Sequence, residues 1–191
     1  MSLERKILVK GNHDILLEEL CMREFPYSHD KSNGTVQTVI SLGNFDGRNF
    51  DECCRTTWNK TARYRELLVN YFETQNYIFV HSWIPTRNVG KYNPMYCWEE
   101  DWRNAPDKEW EEAMWGNPFI LAEDGLNQTG KTIVFGHFHT SYKWSRTSGC
   151  SEFGEDANFT PYFGDNYIGI DGCVAYTGKC NVIVLEDEFL K

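Results

Sequence analysis

No stretch of this chain approaches the roughly 18 consecutive apolar residues that a membrane-spanning helix needs, and Met1-Ser2-Leu3-Glu4-Arg5-Lys6 lacks the apolar core of a secretory signal. A cytoplasmic location is the expectation that follows. Cys-x-x-Cys pairs are missing too. The seven cysteines (Cys21, Cys53, Cys54, Cys97, Cys150, Cys173, Cys180) are odd in number and scattered, so neither a disulfide framework nor a thiolate zinc site is signalled, and they read as reduced thiols. Positive charge is scarce: 19 basic against 28 acidic residues leave a net charge of -9, which argues against nucleic acid as a broad-surface partner. An acidic surface repels phosphorylated ligands, so phosphate recognition here needs a local positive centre, which bound divalent cations supply. Repeats, low-complexity tracts and linkers are absent as well. At 191 residues with 41% hydrophobic content, the chain reads as a single domain, 1–191.

Short apolar runs punctuate the sequence. Arg5 to Lys10 reads as a buried strand stopped by Gly11, followed by a helix at Ile15 to Cys21. Thr35 to Ile40 is a β-branched run compatible with a short strand or a helix. From Thr61 to Gln75, Tyr64, Leu67, Leu68, Tyr71 and Phe72 recur at three- and four-residue spacing and predict an amphipathic helix. Tyr77 to Val80 and Thr132 to Phe135 predict buried strands; Tyr167 to Ile170 and Asn181 to Leu185 predict two more. Between Glu99 and Glu112 lie seven acidic and two basic residues, with Trp98, Trp102, Trp110 and Trp115 nearby. This Trp-rich stretch, 94–118, predicts helices packing an aromatic face on the domain, or a cap over a site. Strands alternating with helices, with polar motifs at strand ends, predict a layered α/β arrangement whose site lies at the carboxyl edges of strands.

Four of the five histidines, His13, His81, His137 and His139, follow short apolar runs; only His29 does not. A lone strand-end histidine is more often a hydrogen-bonded core or surface residue, but four at strand ends suit a metal centre, since neutral imidazole is the commonest protein ligand of transition metals. The ordered motifs Gly11-Asn12-His13-Asp14, Val80-His81 and Gly136-His137-Phe138-His139 resemble those of the calcineurin-like metallophosphoesterases. Tyr167-Ile-Gly-Ile-Asp-Gly-Cys-Val and Gly178-Lys-Cys-Asn-Val-Ile-Val-Leu are similar to the closing hairpin of that family's serine/threonine phosphatase branch. The resemblance implies an α/β/β/α sandwich, a phosphorylated substrate, and two divalent cations (manganese, iron, zinc or nickel) that activate a water for in-line attack on phosphorus. It implies Asn12, His81 and His137 as ligands of one metal, His139 as a ligand of the other, and His13 as the general acid. Asp14 reads as a loop-orienting or helix-capping carboxylate.

The chain also departs from that pattern. The family's Asp-x-His and Gly-Asp-x-x-Asp motifs do not precede Gly11, so the expectation is a sandwich incomplete at its N-terminal strands, holding one metal or none, with Met1-Ser2-Leu3 as an expression leader. The missing strands would leave a sheet edge open to self-association. Asp46, Asp165 and Asp171 are the available carboxylates, and each reads as structural. The resemblance also implies a phosphate-binding arginine shortly after a tryptophan, and Trp115-Gly116-Asn117-Pro118 has none; Arg87 is the substitute candidate, against a plain solvated role. Two functions of different class result: a metal-dependent hydrolase of phosphate mono- or diesters, or a catalytically inactive module of the same scaffold that binds a partner.

Overall fold

The computed structural model describes residues 6–90 and 95–187. Met1-Ser2-Leu3, the start of the expected first strand at Arg5, and Pro94 of the Trp-rich stretch lie outside the described residues. The chain divides into two compact units, Met1–Val69 and Asn70–Lys191. It is mixed α/β.

In the first unit, strand β1 (Leu8–Val9) leads into helix α1 (Asn12–Arg23), followed by α2 (Ser28–Ser32), α3 (Thr35–Gly43), α4 (Phe50–Arg65) and strand β2 (Leu68–Val69). β1 and β2 pair in parallel, Leu8 opposite Leu68. The β-branched run at Thr35 is thus a helix. Leu20, Cys21, Val39, Cys53 and Cys54 form the buried core. Helix α4 has Asp51 and Glu52 in its first turn and Arg63 and Arg65 in its last, charges that complement the helix dipole. Its buried residues are Cys53, Cys54 and Thr57, small side chains on one face of the helix. Cys53 Sγ and Thr57 Oγ1 both donate to the carbonyl of Val39, at 3.1 and 3.2 Å. Burial pushes the Cys21 thiol up to about 11 and Cys54 up to about 12, which keeps both protonated and unreactive.

In the second unit, strands β3 (Tyr71–Glu73), β4 (Tyr77–Val80), β5 (Arg87–Asn88) and β6 (Tyr96–Cys97) precede a 3-10 turn at Trp102–Asn104 and helices α5 (Asp107–Ala113) and α6 (Pro118–Glu123). Then come β7 (Thr132–Phe135), α7 (Thr140–Ser148), β8 (Tyr162–Gly164), β9 (Tyr167–Gly169) and α8 (Val174–Thr177). The main sheet runs β3-β4-β7-β9-β8. Its three central strands are parallel, with Val80 opposite Phe135 and Phe135 opposite Gly169, while β3 and β8 are antiparallel edges. β7 and β9 bury consecutive residues and so are covered on both faces, as central parallel strands commonly are, whereas β4 alternates buried Ile78 and Val80 with half-buried Tyr77 and Phe79. Ile78, Ile133, Phe135, Trp83, Ile84 and Phe119 make the core. Trp102 and Trp110 are buried against Tyr71, the Trp110 ring stacked on it at 5.2 Å, so the acidic Trp-rich segment packs an aromatic face as its pattern predicts.

Two expected elements differ. The helix predicted over Thr61 to Gln75 is instead the end of α4, then β2 and β3. Leu68, Val69, Tyr71 and Phe72 are β-forming residues that find strand partners in β1 and β4, and pairing overrides a spacing that also fits a helix. Asn181 to Leu185 forms no strand: Val182 and Val184 are 85% and 89% exposed. That segment is tied by side chains, with Asn181 Nδ2 donating to the Phe159 carbonyl at 2.7 Å and the Asp187 carboxylate accepting from the Asn76 amide at 2.9 Å. No helix among the described residues is long and apolar enough to cross a membrane.

Gly43 allows α3 to approach α4. A Cβ there would stand 2.1 Å from Cys53 Sγ and 2.5 Å from the Cys53 carbonyl oxygen. Alanine gains up to about 1 kcal/mol of helix propensity, but overpacking costs about 1–3 kcal/mol and a backbone oxygen cannot rotate away. Gly43→Ala is expected to lower the denaturant midpoint without changing its slope; an unchanged or raised midpoint contradicts this packing. A second expectation concerns acid. Glu73 is 10% exposed and pairs with Arg103 and with Lys131, the latter at 2.8 Å. Hydrogen bonding from Arg103, with Lys131 adding to it against burial, holds its carboxyl below the ordinary glutamate value. A depressed folded value stabilises above the unfolded pKa of about 4.3 and loses that contribution as pH falls through the folded one. Glu73→Gln should therefore cost stability at pH 7 and progressively less towards pH 3 in thermal melts; a constant difference would show the pair contributes nothing.

Candidate functional site

The first motif lies in the first unit, at the start of α1. Gly11 ends the extended segment with φ -117 and ψ 171, and Asn12 begins the helix. Asp14 Oδ2 accepts from the Gly11 amide at 2.8 Å and Oδ1 accepts from the Tyr64 hydroxyl at 2.9 Å. One carboxylate thus caps α1 and ties it to the end of α4. Asn12 is buried, 5% exposed, while the neighbouring His13 is exposed. Successive residues of a first helical turn project in different directions, so this motif presents one histidine to solvent on a rigidly capped turn.

The second and third motifs lie in the second unit, and the sheet brings them together. The Gly136 amide donates to the His81 carbonyl at 2.9 Å, extending the β4–β7 ladder one residue past its last paired residues. His137 then adopts φ +60, the left-handed region that a non-glycine residue seldom enters. This turn sets its ring against His81: His81 Nε2 and His137 Nδ1 are 3.0 Å apart, with ring centroids at 4.8 Å. Trp115 stands edge-on to His137, centroids 6.4 Å apart, and the loop that carries it is tied down where Ser82 Oγ donates to the Gly116 carbonyl at 2.7 Å.

His139 is the residue before α7, stacked on Phe138 with centroids 5.1 Å apart. Its Nε2 lies 3.0 Å from Glu152 Oε1, while Arg146 Nη1 donates to Glu152 Oε2 at 3.1 Å. The His139 bond first, then Arg146, holds the Glu152 carboxyl below its ordinary value. Sequence reasoning missed Glu152 because it sits in an irregular loop, 13 residues from His139, where no spacing rule applies. The start of α7 is fixed from β9: the Asp171 carbonyl accepts from the Thr140 amide at 3.0 Å, and Asp171 Oδ1 accepts from the Cys173 amide at 2.7 Å.

Asp171 is accordingly a turn-forming residue, as is Asp46, whose Oδ1 accepts from the Arg48 amide at 2.9 Å; Asp165 is an exposed turn residue. Arg87 lies exposed on β5, 3.9 Å from Glu99, on the wall of an open cleft. Among the described residues, no group of three or more His, Cys, Asp or Glu side chains is placed to hold a metal. His81 Nε2 and His137 Nδ1 do approach to 3.0 Å, about the separation that two nitrogens about 2.1 Å from one cation and at right angles about it would have. The same spacing also allows one neutral ring to donate its N–H to the other. Comparison of the chain with protein-family models, with curated proteins and with solved structures finds no match.

The left-handed His137 backbone carries strain that glycine would relieve and alanine would not. His137→Gly is expected to be more stable to denaturant than His137→Ala by about 1 kcal/mol. The reverse order would mean that the turn is not left-handed in solution.

Proposed function

We propose that this chain is a metal-dependent phosphoesterase of the calcineurin-like type, hydrolysing phosphate mono- or diesters. The reading is supported above all by His81 and His137, which follow adjacent parallel strands and present ring nitrogens 3.0 Å apart, the spacing of two ligands on one cation. His81 and His137 would hold that ion, and His139, with its Nε2 already beside a carboxylate, would serve a second. Two divalent cations of manganese, iron, zinc or nickel would supply charge to neutralise the phosphate and a water acidic enough to ionise at neutral pH. The protein's part is orientation: the Gly136–His81 backbone bond and the left-handed turn at His137 fix both rings before any ligand arrives. The roles of Asn12 as a ligand and His13 as the donor of a proton to the leaving oxygen enter from the motif order alone. The finer fold, a layered α/β/β/α sandwich incomplete at its N-terminal strands, belongs to the same proposal, as do a cytoplasmic location and self-association through a sheet edge.

One observation favours the second reading, an inactive binding module. The His139–Glu152–Arg146 chain satisfies its own charges without a cation. Hydrolysis decides between them. With manganese, a form of the protein that also carries the family's Asp-x-His and Gly-Asp-x-x-Asp motifs should cleave p-nitrophenyl phosphate or its bis-ester, and His137→Ala should abolish this; this chain alone, without those motifs, is not required to. Loss of general-acid catalysis in His13→Ala should cost about 10²–10⁴-fold in kcat. Activity surviving both substitutions, or no activity in that form once metal analysis shows it loaded, sinks the phosphoesterase reading.

A further inference from the structure

The second unit contains an open cleft of about 840 Å³ whose wall includes Trp115, the residue standing edge-on to His137. A cleft of that size is in the range that holds a drug-sized ligand or a few peptide residues. Its lining combines two exposed aromatic rings, Tyr96 at 46% and Trp115 at 53%, with four carboxylates, Glu99, Glu109, Glu112 and Asp124. Carboxylates alone would describe a solvated acidic face. Concavity and exposed rings set this surface apart, because large aromatic side chains left open beside carboxylates make the surroundings that an ammonium or guanidinium group prefers.

The positive charges already present do not neutralise it. Arg87 is the one basic residue lining the cleft among the described residues, 65% exposed and only 3.9 Å from Glu99, a distance at which little is gained in water. Lys108 reaches Glu112 at 3.8 Å from the same helix, with both side chains largely exposed. Glu109 and Glu112 lie three residues apart on α5, on one face of the helix, where like charges oppose each other. The opposite face is committed elsewhere, since Trp110 is buried in the core. Helix α5 is thus anchored by one face and holds two mutually repelling carboxylates on the wall of the cleft. A bound cation relieves that repulsion.

We propose that this cleft binds a peptide segment carrying Lys or Arg side chains, with cationic groups against Glu109 and Glu112 and against the rings of Tyr96 and Trp115. A lone ammonium would leave most of the volume unfilled, which is why the occupant is a peptide. Such binding requires neither metal nor phosphate. Its role as the substrate flank, selecting phosphorylated segments with basic neighbours, rests on the phosphoesterase reading, because Trp115 joins the cleft to His137.

The test is fluorescence anisotropy of a labelled, phosphate-free peptide of alternating Gly and Lys or Arg, titrated with the full chain. Binding should weaken as salt rises. It should fall about tenfold in the double variant Glu109→Gln and Glu112→Gln, the sum expected of two exposed charge pairs, and again in Trp115→Ala. A matched double variant away from the cleft, Glu155→Gln with Asp165→Asn, should bind as the parent does. Circular dichroism checks that each variant keeps the parent's fold. Equal weakening in both double variants would reduce the effect to general surface charge and overturn the proposal. So would an absence of binding, or competition by spermine as effective as by unlabelled peptide at equal charge concentration. Because the probe carries no phosphate, its capture survives a failure of the hydrolytic reading, and hydrolysis without capture removes the cleft proposal alone.

Discussion

The parallel register of β4 against β7 is the constraint from which the candidate chemistry follows. With Val80 opposite Phe135, the residues leaving the two strands are His81 and Gly136, and one further backbone bond holds them together. The chain then turns at His137, in the left-handed conformation, and α7 begins three residues later at Thr140. A slip of one position in this ladder would turn every core residue of the strand outward. The burial of Ile78, Ile133 and Phe135 therefore holds the register that places His81 beside His137.

The first unit reaches its order by different means. Its core depends on thiols and a threonine, packed closely enough that Gly43 meets Cys53 with no space for a methyl group. Hydrogen bonds to the Val39 carbonyl satisfy the polar atoms that such a core buries. The capped start of α1 benefits from the same economy of groups. Asp14 stabilises the helix end, links it to Tyr64 and leaves His13 exposed.

Electrostatically, the molecule separates its charges by region. A net charge of -9 sets the far field, yet locally Arg146 balances Glu152, and Arg103 and Lys131 balance Glu73. The cleft beside Trp115 is left with an excess of carboxylates. An excess of carboxylates attracts positive charge and repels negative charge.

Much of the second unit was legible in the sequence. The uninterrupted apolar runs Tyr77–Val80 and Thr132–Phe135 announced buried strands, and the histidines after them announced a shared edge. Periodicity misled at Thr61 to Gln75, because aromatic residues and leucines at three- and four-residue spacing fit either helix or strand until a partner strand is present. A short apolar, β-branched run misled again at Asn181 to Leu185, where it has no ladder to join. Helix α4 was hidden because its buried face is made of small residues, two cysteines and a threonine, rather than of a stripe of large aliphatic ones. Local chemistry thus determined, from sequence alone, where strands end and which residues follow them. Tertiary structure decided which of those residues meet. The 3.0 Å approach of His81 to His137, the carboxylate of Glu152 at His139 and the acidic cleft all depend on contacts between segments distant in the chain, whose pairing is set by packing that residue spacing does not encode.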